Sequence, residues 1–285
     1  MKLMQQVLVA TDRSAMAKEA LKRAISVAKK KDAQLFIIHV IEPPFVEFPY
    51  LKPIDNSEIK NAIIDEIDSL NTESKVEYNL FIEHGDVVDT IIHKVEKLEV
   101  DLIVLGCNGK VDIESNYFGT TTLKLIQRTH IPVLVVKNEV KHIYQKMILP
   151  TDMSDSSKES ILFANTLFTK PTQKYLHAHE TLTQLSSYTY HVSAEQRQSI
   201  NIEMEMTARD KLKAFVKEIG EGDMALIHFQ VSINEDLLDY IIKDQADLLV
   251  LGSKGVDNLN SFVFGSTASF LLHMSPTDVL VYVPS

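Results

Sequence analysis

Two sets of glycines with the same spacing are the part of this sequence best suited to chemistry. They contain six of the nine glycines in the chain. Each set has two glycines separated by two residues, then nine residues, then a third glycine followed by a hydroxyl residue; the sets are Gly106-Cys107-Asn108-Gly109 with Gly119-Thr120, and Gly252-Ser253-Lys254-Gly255 with Gly265-Ser266. Glycine allows positive φ and lets backbone amides approach a ligand closely. The spacing therefore predicts a loop that holds an anion such as a phosphate.

The third glycine of each set is predicted to open a helix. Free N–H groups and the helix dipole favour an anion at such a position, and the hydroxyl of Thr120 or Ser266 adds a donor. For a single set, the simpler explanation would be a tight turn followed by a capped helix, because short glycine patterns often match by accident. Two sets with identical spacing favour phosphate binding. The pattern is neither a Walker A loop nor Gly-x-Gly-x-x-Gly.

An acidic residue follows the first apolar run of each half of the chain. The two segments are Ala10-Thr11-Asp12-x-Ser14 and Pro150-Thr151-Asp152-x-Ser154. A carboxylate here could accept hydrogen bonds from an adenine amino group or a ribose hydroxyl. It could instead cap the following helix. Both roles are compatible if Ser14 caps the helix and Asp12 faces the cleft.

The elements that must position these residues occur twice, because the chain is an internal repeat. Aligning Asp12 with Asp152 gives an offset of 140, and aligning Asp101 with Asp247 gives 146. The second copy therefore carries a net insertion, which we place in the polar stretch 180–197. We predict one domain at residues 1–140 and a second at 141–285.

Each copy alternates apolar, β-rich runs with helical patterns. Continuous runs of Val, Ile and Leu indicate strands covered on both faces, as in a parallel sheet. The runs of the first copy are Val7–Ala10, Leu35–Val40, Val76–Ile82, Leu102–Leu105 and Val133–Val136. The predicted fold class is α/β, with two tandem doubly wound, open, five-stranded parallel sheets and helices on both faces, a Rossmann-like arrangement. Ligands in such sheets lie at the carboxyl ends of the strands.

Composition restricts the partners and the compartment. The chain has 285 residues and a net charge of −10, so broad electrostatic binding to nucleic acid or to a membrane surface is disfavoured. Its single cysteine, Cys107, cannot form an intrachain disulfide. No apolar stretch approaches the length of about 20 residues that a transmembrane helix needs. A cytoplasmic location is expected.

The strand-end motif, the glycine spacing and the Pro-Val-Leu-Val-Val segment at 132–136 together resemble the universal stress protein family over nearly the whole chain. The resemblance implies a fold related to the adenine nucleotide alpha hydrolases and binding of ATP, or of AMP or ADP, with Mg or Mn bridging the phosphates. In the first copy it implies that Asp12 and the backbone of Val40 contact adenine and ribose, and that Gly106, Gly109, Gly119 and Thr120 hold ribose and phosphates. Ala10 and Thr11 belong to the same predicted nucleotide site. The matching residues of the second copy are Pro150, Thr151, Asp152, Ala178, Gly252, Gly255, Gly265 and Ser266.

The resemblance also implies a function, with alternatives. The expected function is a regulatory or stress-response factor that binds adenine nucleotide, with an unknown protein partner and with the two repeats forming an intramolecular pseudo-dimer that could dimerise further. The alternatives are an interaction module with vestigial pockets and a slow ATP hydrolase. No catalytic residue is predicted, because the motifs supply no general base, P-loop lysine or transition-state arginine.

Two further patterns are open to interpretation. His177 and His179 lie on one strand face and could form a metal pair, although a structural role is favoured because two ligands seldom make a site. His39 matches His177 in the first copy. Met204 and Met206, with Leu212, are predicted to lie on the core side of a long helix. Gly85-Asp86 in the first copy aligns with Val231-Ser232 in the second, so this strand end is expected to be built differently.

Overall fold

The computed structural model describes residues 4–42, 56–73, 75–107, 119–168, 171–183, 190–229, 232–252 and 265–283. The chain divides into two units, one built from the residues up to Ile143 and the other beginning at Tyr144. Each unit contains one repeat.

The described part of the first unit alternates strands and helices throughout. Its elements are β1 (Gln6–Ala10), α1 (Ala15–Lys31), β2 (Gln34–Ile41), α2 (Asn56–Asn71), β3 (Tyr78–His84), α3 (Val87–Lys97), β4 (Leu102–Gly106), α4 (Thr120–Arg128) and β5 (Val133–Val136). The strands pair in parallel in the order β3-β2-β1-β4-β5. The third strand begins two residues later than the apolar run that predicted it.

The second unit has the same order of elements. They are β6 (Lys146–Pro150), α5 (Asp155–Leu167), β7 (Thr172–Glu180), α6 (Ala194–Ile219), β8 (Asp223–Phe229), α7 (Ile233–Asp244), β9 (Leu248–Gly252), α8 (Ser266–Met274) and β10 (Asp278–Tyr282). Its strands are also parallel, in the order β8-β7-β6-β9-β10.

The central strands form the core of each unit. Val7, Leu8 and Val9 of β1 have 0% exposure, as do residues 102–104 of β4. Strands covered on both faces need helices on both sides, which confirms the predicted doubly wound α/β class. In this order the winding reverses between β1 and β4 in the first unit and between β6 and β9 in the second. Their carboxyl ends form the crevice where ligands of such folds bind.

An aspartate fastens the opposite, amino edge of each sheet. Oδ2 of Asp101, just before β4, accepts hydrogen bonds from the backbone amides of Gln5 and Gln6 at 2.8 and 3.0 Å. Oδ2 of Asp247 accepts from the amides of Gln145 and Lys146 at 2.7 and 2.9 Å. The aspartate that opens each Asp-Leu-Ile/Leu-Val-Leu-Gly segment is therefore structural, and it lies far from the carboxyl edge.

Side-chain caps start the helices that the sequence indicated. Ser14 caps α1 by accepting from the Ala17 amide at 3.2 Å, and Asp86 caps α3 at 2.9 Å, as predicted. Ser232 accepts from the Glu235 amide at 3.4 Å, so serine replaces Asp86 as the cap of the corresponding helix. The altered strand end of the second copy keeps its cap.

The long helix α6 differs from its prediction in one respect. Leu212 is buried, but Met204 and Met206 are 37% and 62% exposed, so their assignment to the core was wrong. Residues two apart on a helix do not share a face, and the buried residues of α6 begin only at Ala208. The helix starts at Ala194, inside the stretch where the insertion was placed. Among the helices in the described ranges, none has the length and apolar character of a membrane span.

Candidate functional site

The carboxyl end of β1 is a turn held by its own polar groups. The Asp12 carboxylate accepts from the Ser14 amide at 2.9 Å, and the Thr11 hydroxyl accepts from the Arg13 amide at 3.1 Å. Arg13 has a φ of 65°, in the left-handed region. Threonine, aspartate and serine suit such a turn because their oxygens bond to backbone amides two residues on. Asp12 is thereby set at the crevice, while Ser14 caps the helix.

The second repeat builds the same turn. Oδ1 of Asp152 accepts from the Ser154 amide at 3.0 Å, and Oγ1 of Thr151 accepts from the Met153 amide at 2.9 Å. Met153 has a φ of 63°. Burial alone would raise the pKa of the Asp152 carboxyl, but hydrogen bonds from Ser154 and Ser157 outweigh it, and the net pKa lies below its ordinary value. At neutral pH the carboxylate is ionised and can only accept hydrogen bonds.

The third glycine of each motif starts a helix. Gly119 and Gly265 are the N-cap residues of α4 and α8, and no side chain within the described ranges caps either helix. The first amides of a helix have no partner within the helix, so an uncapped start suits an anion. An ideal Cβ at Gly265 would meet no atom of the described residues within 4 Å.

The first glycine of each motif has a packing role. A Cβ at Gly106 would lie 2.7 Å from the carbonyl carbon of Met16, in the first turn of α1. A Cβ at Gly252 would lie 3.2 Å from the carbonyl oxygen of Ser156, in the first turn of α5. These glycines let the first helix of each repeat approach the crevice strand closely, so close packing already requires glycine there.

In the second unit the predicted residues surround one cavity. Its volume is about 310 Å³, within the usual size of small-molecule sites. Seven of the eight residues predicted for this repeat line it: Pro150, Thr151, Asp152, Ala178, Gly252, Gly265 and Ser266. The eighth, Gly255, lies outside the described residues.

In the first unit the predicted residues occupy the corresponding positions. Ala10 ends β1, where it pairs with Ile38, and Thr11 and Asp12 follow it. Val40 lies near the end of β2 and Gly106 at the end of β4. Gly119 and Thr120 start α4. Gly109 is outside the described part of the chain.

Sequence reasoning did not identify several residues that line the cavity. Ile233 and Leu237 of α7 and Leu271 of α8 form apolar walls, and His177 also lines it. The i, i+4 spacing of Ile233 and Leu237 directly after the Ser232 cap was the available signal. No lysine or arginine is among the described residues that line the cavity.

The described residues offer no preformed metal site. No group of three or more His, Cys, Asp or Glu side chains within those ranges is arranged to hold an ion. The two histidines of β7 make separate backbone contacts: Nδ1 of His177 lies 2.8 Å from the Thr151 carbonyl oxygen, and Nδ1 of His179 lies 3.2 Å from that of Glu180. These contacts support the structural role for the pair.

Strand order, paired acidic turns and uncapped helix starts define a Rossmann-like α/β protein with a candidate ligand-binding edge in each repeat. The pattern of the universal stress protein family matches residues 4–137 and 143–283. The chain belongs to the universal stress protein family and carries its domain twice, in tandem.

A relative agrees with this assignment, and two solved structures share the fold. A universal stress protein of Methanocaldococcus jannaschii is 31% identical over 146 residues, which are 49% of this chain and 85% of that protein. A functionally unknown protein from Pseudomonas aeruginosa shares the fold with a TM-score of 0.70 at 18% identity, over 99% of this chain and 93% of that one. A universal stress protein from Archaeoglobus fulgidus matches with a TM-score of 0.66 at 15% identity, over 98% of both chains.

Proposed function

We propose that this protein binds ATP, or a related adenine nucleotide, at the carboxyl edge of each repeat and acts as a regulatory or stress-response factor. One observation carries the proposal: in the second unit, Asp152 and the uncapped start of α8 at Gly265 line the same cavity. A nucleotide needs an acceptor for its base or ribose at one end and anion donors at the other. This cavity offers both.

The chemistry of the lining explains how an acidic protein could hold phosphates. The ionised Asp152 carboxylate accepts from an amino or hydroxyl group, and Leu271 and Ile233 supply apolar contact. Phosphate oxygens would accept from the first amides of α8 and from the hydroxyl of Ser266, which is exposed. Backbone amides and the helix dipole then replace basic side chains.

A divalent ion would depend on the nucleotide for most of its ligands. Asp152 is the only carboxylate among the described lining residues. Mg²⁺ commonly binds through one or two carboxylates together with substrate phosphates and water. This set fits an ion brought in with the phosphates and does not fit a dedicated protein cage.

The same lining favours binding over turnover. Phosphoryl transfer usually relies on a lysine or arginine that stabilises charge in the transition state. Such a side chain is lacking among the described residues around the cavity. We therefore expect bound nucleotide to persist, so that occupancy itself is the signal.

The test is calorimetric titration of the full chain with ATP in the presence of Mg²⁺. Two nucleotides per chain are expected, falling to one in Asp152→Ala and in Asp12→Ala and to none in the double variant. Asp210→Ala, an exposed carboxylate on α6, is the matched control and should leave the stoichiometry unchanged. Absence of heat and of thermal stabilisation in the wild type would refute the proposal. Steady release of ADP at enzyme-like rates would favour the hydrolase alternative.

A further inference from the structure

One histidine on the second strand of each repeat makes the same contact. Nδ1 of His39 lies 2.7 Å from the carbonyl oxygen of Thr11, and Nδ1 of His177 lies 2.8 Å from that of Thr151. A carbonyl oxygen can only accept, so Nδ1 carries the proton in both rings. Each ring joins residues that are 28 or 26 positions apart in the chain. Because the contact occurs in both repeats, it is a feature of the repeated domain.

The contact lies where backbone pairing between the two strands stops. The β1–β2 register ends at the pair Ala10 and Ile38, and the Thr11 amide donates to the Ile38 carbonyl at 2.9 Å. In the second repeat the Thr151 amide donates to the Leu176 carbonyl, also at 2.9 Å. The threonine N–H is thus held by the neighbouring strand, and its C=O is held by the imidazole from that strand.

Holding this carbonyl fixes the direction in which the chain leaves the strand. The Thr11 carbonyl belongs to the peptide group that ends at the nitrogen of Asp12, and a peptide group is planar. When the Thr11 carbonyl oxygen is held, the orientation of this peptide plane is held too, and with it the positions of the nitrogen and Cα of Asp12. The bonds inside the turn, from Asp12 to the Ser14 amide and from Thr11 to the Arg13 amide, then set the rest of its geometry.

We propose that His39 and His177 are positioning residues for the nucleotide, each holding the threonine carbonyl so that the adjacent aspartate presents its carboxylate to the ligand. The inference rests on the proposed function and extends it to two residues that do not belong to either sequence motif. The acting atom is Nδ1. His177 also lines the cavity, so the experiment must separate a role of Nδ1 from direct contact between the ring and the ligand.

Asparagine and glutamine separate these roles. The amide nitrogen of asparagine occupies nearly the position of Nδ1, whereas that of glutamine lies nearer to the position of Nε2. The experiment measures the Kd for ATP of His177→Asn, His177→Gln and His177→Leu in the full chain, with the first repeat silenced by Gly119→Ser. The matched set replaces His39 in a chain silenced by Gly265→Ser. Each variant also receives a thermal unfolding midpoint without nucleotide.

Replacing the histidine by leucine should raise the Kd for ATP by about tenfold, whereas the asparagine variant should have a Kd within about threefold of that of the silenced parent chain. The glutamine variant should have a Kd similar to that of the leucine variant. Rescue by glutamine but not by asparagine would overturn the inference in favour of direct contact. A lowered midpoint with unchanged Kd would also overturn it, because it would show a purely structural role. If neither silenced parent chain, Gly119→Ser or Gly265→Ser, binds ATP, the proposed function and this inference both fail. If a parent chain binds ATP and replacing its histidine by leucine leaves the Kd unchanged, the inference alone fails.

Discussion

Gly106 faces the backbone of Met16 so closely that a Cβ on the glycine would lie 2.7 Å from the Met16 carbonyl carbon and 2.9 Å from its oxygen. Both obstructing atoms are backbone atoms, so α1 itself would have to move. Gly106→Ala should therefore lower the free energy of unfolding by about 1–3 kcal/mol, the usual effect of overpacking. Chemical denaturation measures this loss.

Gly252→Ala is the matched comparison for that variant. Its Cβ would lie 3.2 Å from the Ser156 carbonyl oxygen and 3.3 Å from the Ser160 hydroxyl. Both contacts are longer than the 2.7 Å between a Cβ at Gly106 and the Met16 carbonyl carbon, so the expected loss of stability is smaller than for Gly106→Ala. If the two variants lose the same free energy of unfolding, close approach of the first helix does not explain why glycine occupies these positions.

Gly265→Ser should uncouple stability from ligand binding. Serine is a favoured N-cap residue, and its hydroxyl would accept from the first amides of α8. The same amides are the proposed phosphate donors, and the serine Cβ would meet no atom of the described residues within 4 Å. We expect a thermal midpoint equal to or above that of the wild type, together with loss of one ATP per chain in calorimetry.

A lowered midpoint in Gly265→Ser would contradict this account of the α8 terminus. Binding of two ATP molecules per chain by Gly265→Ser would also contradict it, because the serine hydroxyl would then occupy first-turn amides of α8 that the nucleotide does not use. Gly119→Ser applies the same change to α4 and should remove the other site.

Asp244 should stabilise the second unit in a pH-dependent way. Its side chain is 9% exposed and pairs with Lys146 at 2.8 Å and with Lys174 at 2.6 Å. Burial raises the pKa of this carboxyl, but the two lysines outweigh it and the net pKa is lowered. A lowered carboxyl pKa means that the stabilisation is present above the pKa of the unfolded chain, about 4, and is lost as the pH falls through the folded value.

Asp244→Asn should therefore lower the free energy of unfolding by about 2 kcal/mol at pH 7. The difference from the wild type should narrow below about pH 4. Denaturation curves across this range test both statements. Asp239→Asn, an exposed carboxylate on the same helix, should change stability by less than about 0.5 kcal/mol at any pH. A constant difference between Asp244→Asn and the wild type would exclude the ion pairs as its cause.

His179 should make the protein sensitive to mild acid. It is 9% exposed, and burial followed by the nearby His228 lowers the pKa of its imidazole. A lowered histidine pKa means that stability is present above the unfolded value, about 6.5, and declines as the pH falls below it. His179→Phe should flatten the decline of the unfolding midpoint between pH 7 and pH 5. Replacing the exposed His228 by Phe should flatten it less, because the burial of His179 remains.

The acidic turns and the repeat were predictable because their determinants are local. Thr11, Asp12 and Ser14 bond to amides within three residues of themselves, and such bonds follow directly from residue type and spacing. The doubly wound class followed from the continuous apolar runs, and all described strand pairings bear it out.

The features that escaped prediction depend on contacts between distant segments. The closeness of Met16 to Gly106 results from how α1 packs on β4, and the bond from His39 to Thr11 joins two strands. The sequence shows a glycine and a histidine at matching positions in both copies, but not the distant atoms that each of them contacts. The prediction that Met204 is buried was wrong for a different reason. An apolar residue on a long helix is buried only where the helix packs on the sheet, and Met204 lies in a part of α6 that is exposed.

The aspartates at the amino edges have a consequence for how the two repeats can diverge. Asp101 and Asp247 secure the start of each sheet, whereas all the proposed ligand contacts lie at the other end of the strands. Apart from the closely packed Gly106 and Gly252, substitutions at the binding edge can therefore accumulate in one copy while the start of its sheet stays secured. A duplicated chain of this kind can keep one repeat for its original ligand and let the other acquire a new specificity.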